Sequence, residues 1–183
     1  MYRSSLLCLL LASCAPHKVA LAICPIDRVV YRQPGNPETT AGFSRQIVKS
    51  SFASDIVFWL KSGQQQFWFG FSSPNGYGGT YIAPQIDPAL VKPAKDDDST
   101  PDDRLPGDKS EQPVSMMFDA FDAQQMTFDG PPQSTDHAPA RIYARELGPL
   151  FHYAHNGDLY HLSAPVRIDL QMWVLVSCDA KAH

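Results

Sequence analysis

Histidines between residues 137 and 161 are the side chains whose types and spacing point most directly to chemistry. His152 and His161 flank Asn156-Gly157. Asn-Gly between alternating residues is a strong signal for a two-residue β-hairpin turn, because both turn positions need positive φ. Such a hairpin would place His152 opposite His161. Two neighbouring imidazoles can ligate zinc or copper if a third ligand joins them, and His137 is the candidate.

The metal hypothesis competes with a purely structural one. Asp136 and Glu146 are carboxylate alternatives for the third ligand, but a pair of histidines alone lacks the ligand count of a metal site. In the structural interpretation, the histidines pack on aromatic neighbours and a His155–Asp158 pair supports the turn. We therefore expect no cofactor, with zinc or copper as the alternative.

Aromatic side chains form a second candidate site, a ligand or partner surface around a predicted hairpin and its glycine-rich turn. They are Trp59, Trp68, Tyr77 and Tyr81. If these rings are exposed, they can stack against sugars or a partner protein, because flat rings bind at low entropic cost. If they are buried, they supply the core that a β-domain of this size must contain.

The sequence contains no motif of a known catalytic centre. It has no Gly-x-Ser-x-Gly elbow, no His-Glu-x-x-His pair and no phosphate-binding loop. We therefore predict no catalytic residue.

The amino-terminal segment has the features of an export signal. Arg3 supplies positive charge, and residues 6–12 form an apolar core. A membrane-spanning helix needs about 20 apolar residues, so this shorter run is typical of a signal peptide. Leu11-Ala12-Ser13-Cys14 resembles the processing site of bacterial lipoprotein precursors. That resemblance implies cleavage before Cys14 and diacylation of its thiol.

A second cleavage site remains open. Ala20-Leu21-Ala22 has the small-x-small pattern of an ordinary secretory signal, which would release a soluble protein beginning at Ile23. The predicted organisation is a signal peptide over 1–13, with alternative cleavage after 22. A tether over 14–23 and a single β-rich domain over 24–180 follow.

Cysteine usage agrees with export. Cys8 leaves with the signal and Cys14 is lost or lipidated, so Cys24 and Cys178 remain, one near each end of the domain. An even pair in an oxidising compartment predicts a disulfide. Closing a loop of about 155 residues is worth at most about 5 kcal/mol in the chain-entropy model. Two unpaired core thiols are the alternative.

Composition predicts a globular domain and excludes one class of partner. The chain is 44% hydrophobic and 11% aromatic, with a formal net charge of −4. No basic stretch offers an electrostatic footprint for nucleic acid or anionic lipid. Membrane attachment is therefore expected through the lipid alone, and no nucleic acid is expected as a partner.

Period-two alternation dominates the chain and predicts strands. In the clearest hairpin, a turn at Ser62-Gly63 would pair Phe58 with Phe67 and Ile56 with Phe69. The fold class is mainly β, an antiparallel sandwich or curved sheet of hairpins.

The final strand shows the same alternation, and one of its faces is expected to be buried. That face holds Val166, Ile168, Leu170, Met172, Val174, Val176 and Cys178.

A long acidic, proline-rich loop interrupts the strands. Residues 92–113 have too few apolar side chains to repay the entropy of ordering, so they are predicted to be a disordered excursion. A calcium loop is disfavoured, because the spacing of an EF-type loop is missing.

These features predict an exported bacterial envelope protein, lipid-anchored or soluble, in the periplasm or outer envelope. Its expected role is non-enzymatic binding or structure, with an envelope protein or a glycan as partner. The alternatives are a metal-binding protein using the histidine pair and an envelope hydrolase with an unrecognised site.

Overall fold

A computed structural model describes residues 24–48, 52–73, 78–92, 103, 105, 114–154 and 166–178. The strands in this part of the chain are β1 (Val30–Gln33), β2 (Asn36–Arg45), β3 (Ile56–Ser62), β4 (Gln65–Ser72), β5 (Thr80–Gln85), β6 (Met116–Phe121), β7 (Arg141–Tyr143) and β8 (Trp173–Ser177). One α-helix, α1 (Leu147–Ala154), and two 3₁₀ turns, Ile26–Arg28 and Pro88–Leu90, complete the described elements.

The strands form a closed antiparallel barrel. Each strand pairs with the next one along the chain, and β1 pairs with β8. The prediction of a mainly β, antiparallel fold is confirmed, and the curved sheet closes on itself. Closure satisfies the backbone groups that an open sheet leaves exposed at its edges.

Phenylalanine rings fill the barrel interior. Phe43 contacts Phe58 and Phe118 at ring-centroid distances of 6.0 and 6.2 Å, and Phe71 lies 5.1 Å from Phe118. An eight-stranded barrel is just wide enough for its inward side chains to fill it. The space inside these strands is therefore a packed core.

Helix α1 covers one end of the barrel. Leu147 and Phe151 are buried and lie one helical turn apart, and the Phe151 ring lies 4.5 Å from that of Phe67. The predicted hairpin is wrong here, because residues 150–154 belong to this helix. The i, i+4 spacing of Leu147 and Phe151 places both on one helical face. Residues 155–161, including Asn156-Gly157, lie outside the described residues.

The two ends of the barrel differ in character. The β3–β4 turn and α1 lie at one end. Cys24, before β1, and Cys178, after β8, meet at the other end in a disulfide with a Cα–Cα distance of 5.5 Å. The predicted Cys24–Cys178 pair is therefore present, and it joins the chain across the β1–β8 closure.

The β3–β4 hairpin keeps its predicted faces but not its predicted register. Phe58 pairs with Phe69, whereas the sequence predicted Phe67. The turn is Gly63-Gln64, one residue later than expected, and Gly63 has a φ of 59°. A type II′ turn reserves its first central position for glycine, which explains the shift.

Strand β8 (Trp173–Ser177) is shorter than the predicted strand over 166–178, and within it the buried face is opposite to the predicted one. Val166, which the prediction also placed on the buried face, is buried ahead of the strand. Trp173 is 1% exposed, whereas Met172 and Val176 are 41% and 51% exposed. Both faces of this segment are apolar, so alternation alone could not select the inner one. The Gln33 side chain holds the segment that leads into β8, because its Nε2 donates to the Asp169 carbonyl at 2.6 Å.

Within the predicted excursion over 92–113, the structure describes only residues 92, 103 and 105. Asp103 is buried, and its carbonyl accepts the Ile86 backbone N–H at 3.0 Å. The chain at Asp103 therefore packs against the end of β5.

Candidate functional site

A row of side chains crosses the outer face of four strands. The strand register places Gly42 beside Trp59, Trp59 beside Trp68, and Trp68 beside Gln85. A Cβ atom at Gly42 would overlap the Trp59 ring. The Trp59 ring therefore packs over Gly42 of β2, and Trp68 is its cross-strand neighbour on β4.

The structure describes three of the four aromatic residues that the sequence grouped as a surface, and they differ in burial. Trp59 is 3% exposed, so it belongs to the packed part of the domain and does not contribute to an exposed surface. Trp68 and Tyr81 are half-buried. Tyr77 lies outside the described residues. Trp68 is the member of the group that lines a cleft.

The cleft lies where β4 begins and β5 ends, at the same end of the barrel as α1. Its volume is about 360 Å³. The lining residues combine an aromatic ring, amides, one carboxylate and apolar side chains: Gln65, Gln66, Phe67, Trp68, Gln85, Ile86, Asp87 and Leu105. Half of these eight lining residues are polar, so the cleft offers hydrogen-bonding groups beside an apolar surface.

Gln85 is the most unusual residue of this cleft. It is 1% exposed, and its Oε1 accepts a hydrogen bond from Gln46 Nε2 at 3.3 Å. Gln85 Nε2 and Gln46 Oε1 are buried without a hydrogen-bond partner among the described residues. A buried unpaired polar group costs about 1–3 kcal/mol.

Asp87 provides the carboxylate of the cleft. Its Oδ1 accepts the Ala89 backbone N–H at 2.9 Å and caps the 3₁₀ turn Pro88–Leu90. This cap fixes the side chain at the edge of the cleft, where a carboxylate oxygen accepts hydrogen bonds and repels anions.

A second cavity, of about 510 Å³, lies beside the disulfide at the opposite end of the barrel. Cys24 and Leu175 contribute to its wall, and His137 stands at its edge. Asp122 Oδ1 accepts the Gln124 and Met126 N–H groups at 2.8 Å each, and Asp136 Oδ2 accepts the Gln133 N–H at 2.7 Å. These carboxylates therefore shape turns.

Of the three histidines proposed as metal ligands, the structure describes His152 and His137 and places them at opposite ends of the barrel. His152 is exposed on α1, after β7, whereas His137 precedes β7 at the disulfide end. Glu146 lies just before α1, and Asp136 lies beside His137. His161 lies outside the described residues. Within the described ranges, no group of three His, Cys, Asp or Glu side chains is arranged to hold a metal ion.

Burial changes the pKa of one tyrosine. Tyr31 lies inside the barrel, and burial raises the pKa of its phenol well above the ordinary value. Its hydroxyl donates to the Pro139 carbonyl at 2.8 Å. This bond links β1 to the segment before β7, so Tyr31 has a structural role.

Sequence reasoning found Trp68 but missed the polar part of the cleft. Gln65 and Gln66 directly precede Trp68 and its aromatic neighbours in the sequence. This adjacency is the feature from which the two amides could have been predicted to lie near the ring. Gln85 could not be found in this way, because its place beside Trp68 depends on the pairing of β4 with β5.

No family model, no curated protein and no solved structure matches this chain. In the described part of the chain, no helix is both long enough and apolar enough to cross a membrane.

Proposed function

We propose that this chain is an exported bacterial envelope protein, anchored by a lipid on Cys14, whose barrel has a non-enzymatic binding role. The disulfide between Cys24 and Cys178 is the observation that carries this proposal. Such bonds persist in oxidising compartments and are rare where thiols are kept reduced. An end-to-end disulfide therefore supports export.

The amino-terminal pattern supports the same location. The apolar core of the signal ends at Leu11-Ala12-Ser13-Cys14, the stretch that resembles a lipoprotein processing site. After cleavage before Cys14, residues 15–23 separate the lipid from the first described residue, Cys24. That length of chain suits a tether between membrane and barrel.

A binding role is supported by what the described residues offer. Aromatic rings occupy the barrel interior, and the carboxylates beside the disulfide accept hydrogen bonds from turns. The cleft beside Trp68 combines a ring with amides, which suits recognition better than proton transfer. The described residues give no comparable support to the metal-binding and hydrolase alternatives.

Mass spectrometry of the full chain, expressed in a bacterium and isolated from its membranes, tests this proposal. We expect a chain that begins at Cys14, carries diacylglycerol on that residue, and has no free thiol at Cys24 or Cys178. Cys14→Ser is the matched control and should abolish acylation.

Two other outcomes would contradict the proposal in different ways. A soluble periplasmic chain beginning at Ile23 would exclude the lipid anchor but retain export. An unprocessed chain in the cytosol, with free thiols at Cys24 and Cys178, would exclude export altogether.

A further inference from the structure

We propose that the cleft beside Trp68 and Gln85 is a saccharide-binding site for a neutral or amino sugar. The proposal deepens the binding role proposed above, since it names the chemical class of the ligand. It rests on the ring, the unpaired buried amide and the charge of the cleft.

Trp68 provides a rigid stacking surface. Its neighbours across the strands are Trp59 on one side and Gln85 on the other. Trp59 packs over Gly42 and is 3% exposed, so the strand position next to Trp68 is closely packed. Trp68 is half-buried and lines the cleft. A sugar ring has a face of C–H groups that packs on such a flat aromatic surface.

The buried amide of Gln85 is the group from which we infer that the ligand carries hydroxyls. In the described part of the chain, the Nε2 group of Gln85 is buried without a hydrogen-bond partner, while its Oε1 accepts from Gln46 Nε2. A sugar hydroxyl can accept from the unused N–H and can also donate to a neighbouring amide oxygen. An ammonium group cannot accept from that N–H. Gln65 and Gln66 add amides at the start of β4.

The charge of the described lining disfavours anionic ligands. Among the described residues that line the cleft, Asp87 is a carboxylate and none is a lysine or arginine. Sulfate, phosphate and sugar acids would therefore lose their hydration without gaining a cation. A neutral sugar avoids this cost, and the ammonium group of an amino sugar would gain from Asp87.

The size of the cleft limits the ligand to a short saccharide. A volume of about 360 Å³ lies at the lower end of ligand sites. We therefore expect about one or two sugar rings to enter, with a longer glycan extending into solvent.

Titration of the full chain with defined sugars tests the proposal. The protein is extracted from membranes with its disulfide intact, in a zwitterionic detergent without a sugar headgroup. The probes are N,N′-diacetylchitobiose, cellobiose and glucosamine, with glucuronate as the anionic control and an uncharged tetrapeptide as the peptide control. Tryptophan fluorescence and calorimetry report binding.

We expect at least one neutral or amino sugar to bind with a Kd below about 10 mM, and glucuronate to bind at least tenfold more weakly. Trp68→Ala should lower affinity at least tenfold, whereas Trp68→Phe should retain most of it. Gln85→Leu should also lower affinity while the protein stays folded. Tyr153→Ala removes an exposed aromatic ring on α1 outside the cleft and should change nothing.

Each contrary result overturns the assignment. Absence of binding by every sugar in the folded wild-type protein excludes a saccharide site. Equal affinity in Trp68→Ala and wild type excludes this cleft, and tighter binding of the tetrapeptide would make it a peptide site. Failure here leaves the mass of the processed amino terminus unchanged, so the envelope proposal is judged separately.

Discussion

Gly42 and Trp59 face each other across β2 and β3, and the tryptophan ring occupies the space where a side chain at Gly42 would stand. This contact holds the Trp59 ring against the barrel, beside the strand position of Trp68. The absence of a Cβ atom at Gly42 thus makes room for a large buried ring.

Gly42→Ala should destabilise the protein. The new methyl group would overlap the Trp59 ring and the Val29 carbonyl, and overpacking of this kind costs about 1–3 kcal/mol. Urea denaturation followed by tryptophan fluorescence measures the loss. Gly79→Ala is the control, because no atom lies near its Cβ position, and its stability should stay within about 0.5 kcal/mol of wild type. Equal stability of both variants would contradict the packing described here.

The disulfide should make a large contribution to stability. Cys24 and Cys178 are 154 residues apart, and closing such a loop is worth at most about 5 kcal/mol in the chain-entropy model. The double variant Cys24→Ser/Cys178→Ser should therefore unfold at much lower urea concentration. Cys14→Ser is the matched control and should have the same urea midpoint as wild type. Reducing agent should not change the urea midpoint of the double variant, which has no disulfide left to reduce.

Phe151→Ala should weaken the covered end of the barrel. The ring is fully buried and contacts Phe67 and Phe69 at centroid distances of 4.5 and 6.4 Å. Removing a buried phenylalanine ring costs about 3–5 kcal/mol. Tyr153→Ala lies on the same helix but is 70% exposed, so it should cost about 0.5 kcal/mol or less. Thermal unfolding by circular dichroism distinguishes the two, and similar losses would refute the role of Phe151.

Stability should fall in alkali because of Tyr31. Burial raises the pKa of this phenol in the folded state above its value in the unfolded chain. The unfolded chain therefore releases its proton first, at about pH 10, and unfolding becomes more favourable as the pH rises from there towards the folded pKa.

Tyr31→Phe isolates that effect. The variant should lose roughly 1 kcal/mol at pH 7, because the hydrogen bond to the Pro139 carbonyl is gone. Above pH 10, its stability should fall less steeply than that of wild type. Urea midpoints measured at half-unit steps from pH 8 upward provide the test, and parallel slopes for the two proteins would rule the explanation out.

Features of the fold that depend on local chemistry were predictable from the sequence. Alternation indicated the strands, and cysteine spacing indicated the disulfide. The register of β3–β4 was missed because the pattern does not say whether Gly63 takes the first or the second turn position. Helix α1 was missed because its apolar residues also fit an alternating pattern, and packing of Phe151 against Phe67 decides between them.

The candidate cleft was predictable only in part. A tryptophan beside glutamines is visible in the sequence, but the buried amide of Gln85 joins Trp68 only through the pairing of β4 and β5. Likewise, the buried face of β8 depends on which side chain fits the barrel interior, and alternation carries no information about volume.

The disulfide and the cleft lie at opposite ends of the barrel, so the two ends can have different roles. Cys24 lies at one end, and the cleft opens at the other, beside the β3–β4 turn. If the chain is attached through the lipid proposed above, the attachment point would adjoin the disulfide end of the barrel. The cleft would then lie at the end of the barrel away from that point, so that attachment and ligand binding would use separate parts of the molecule.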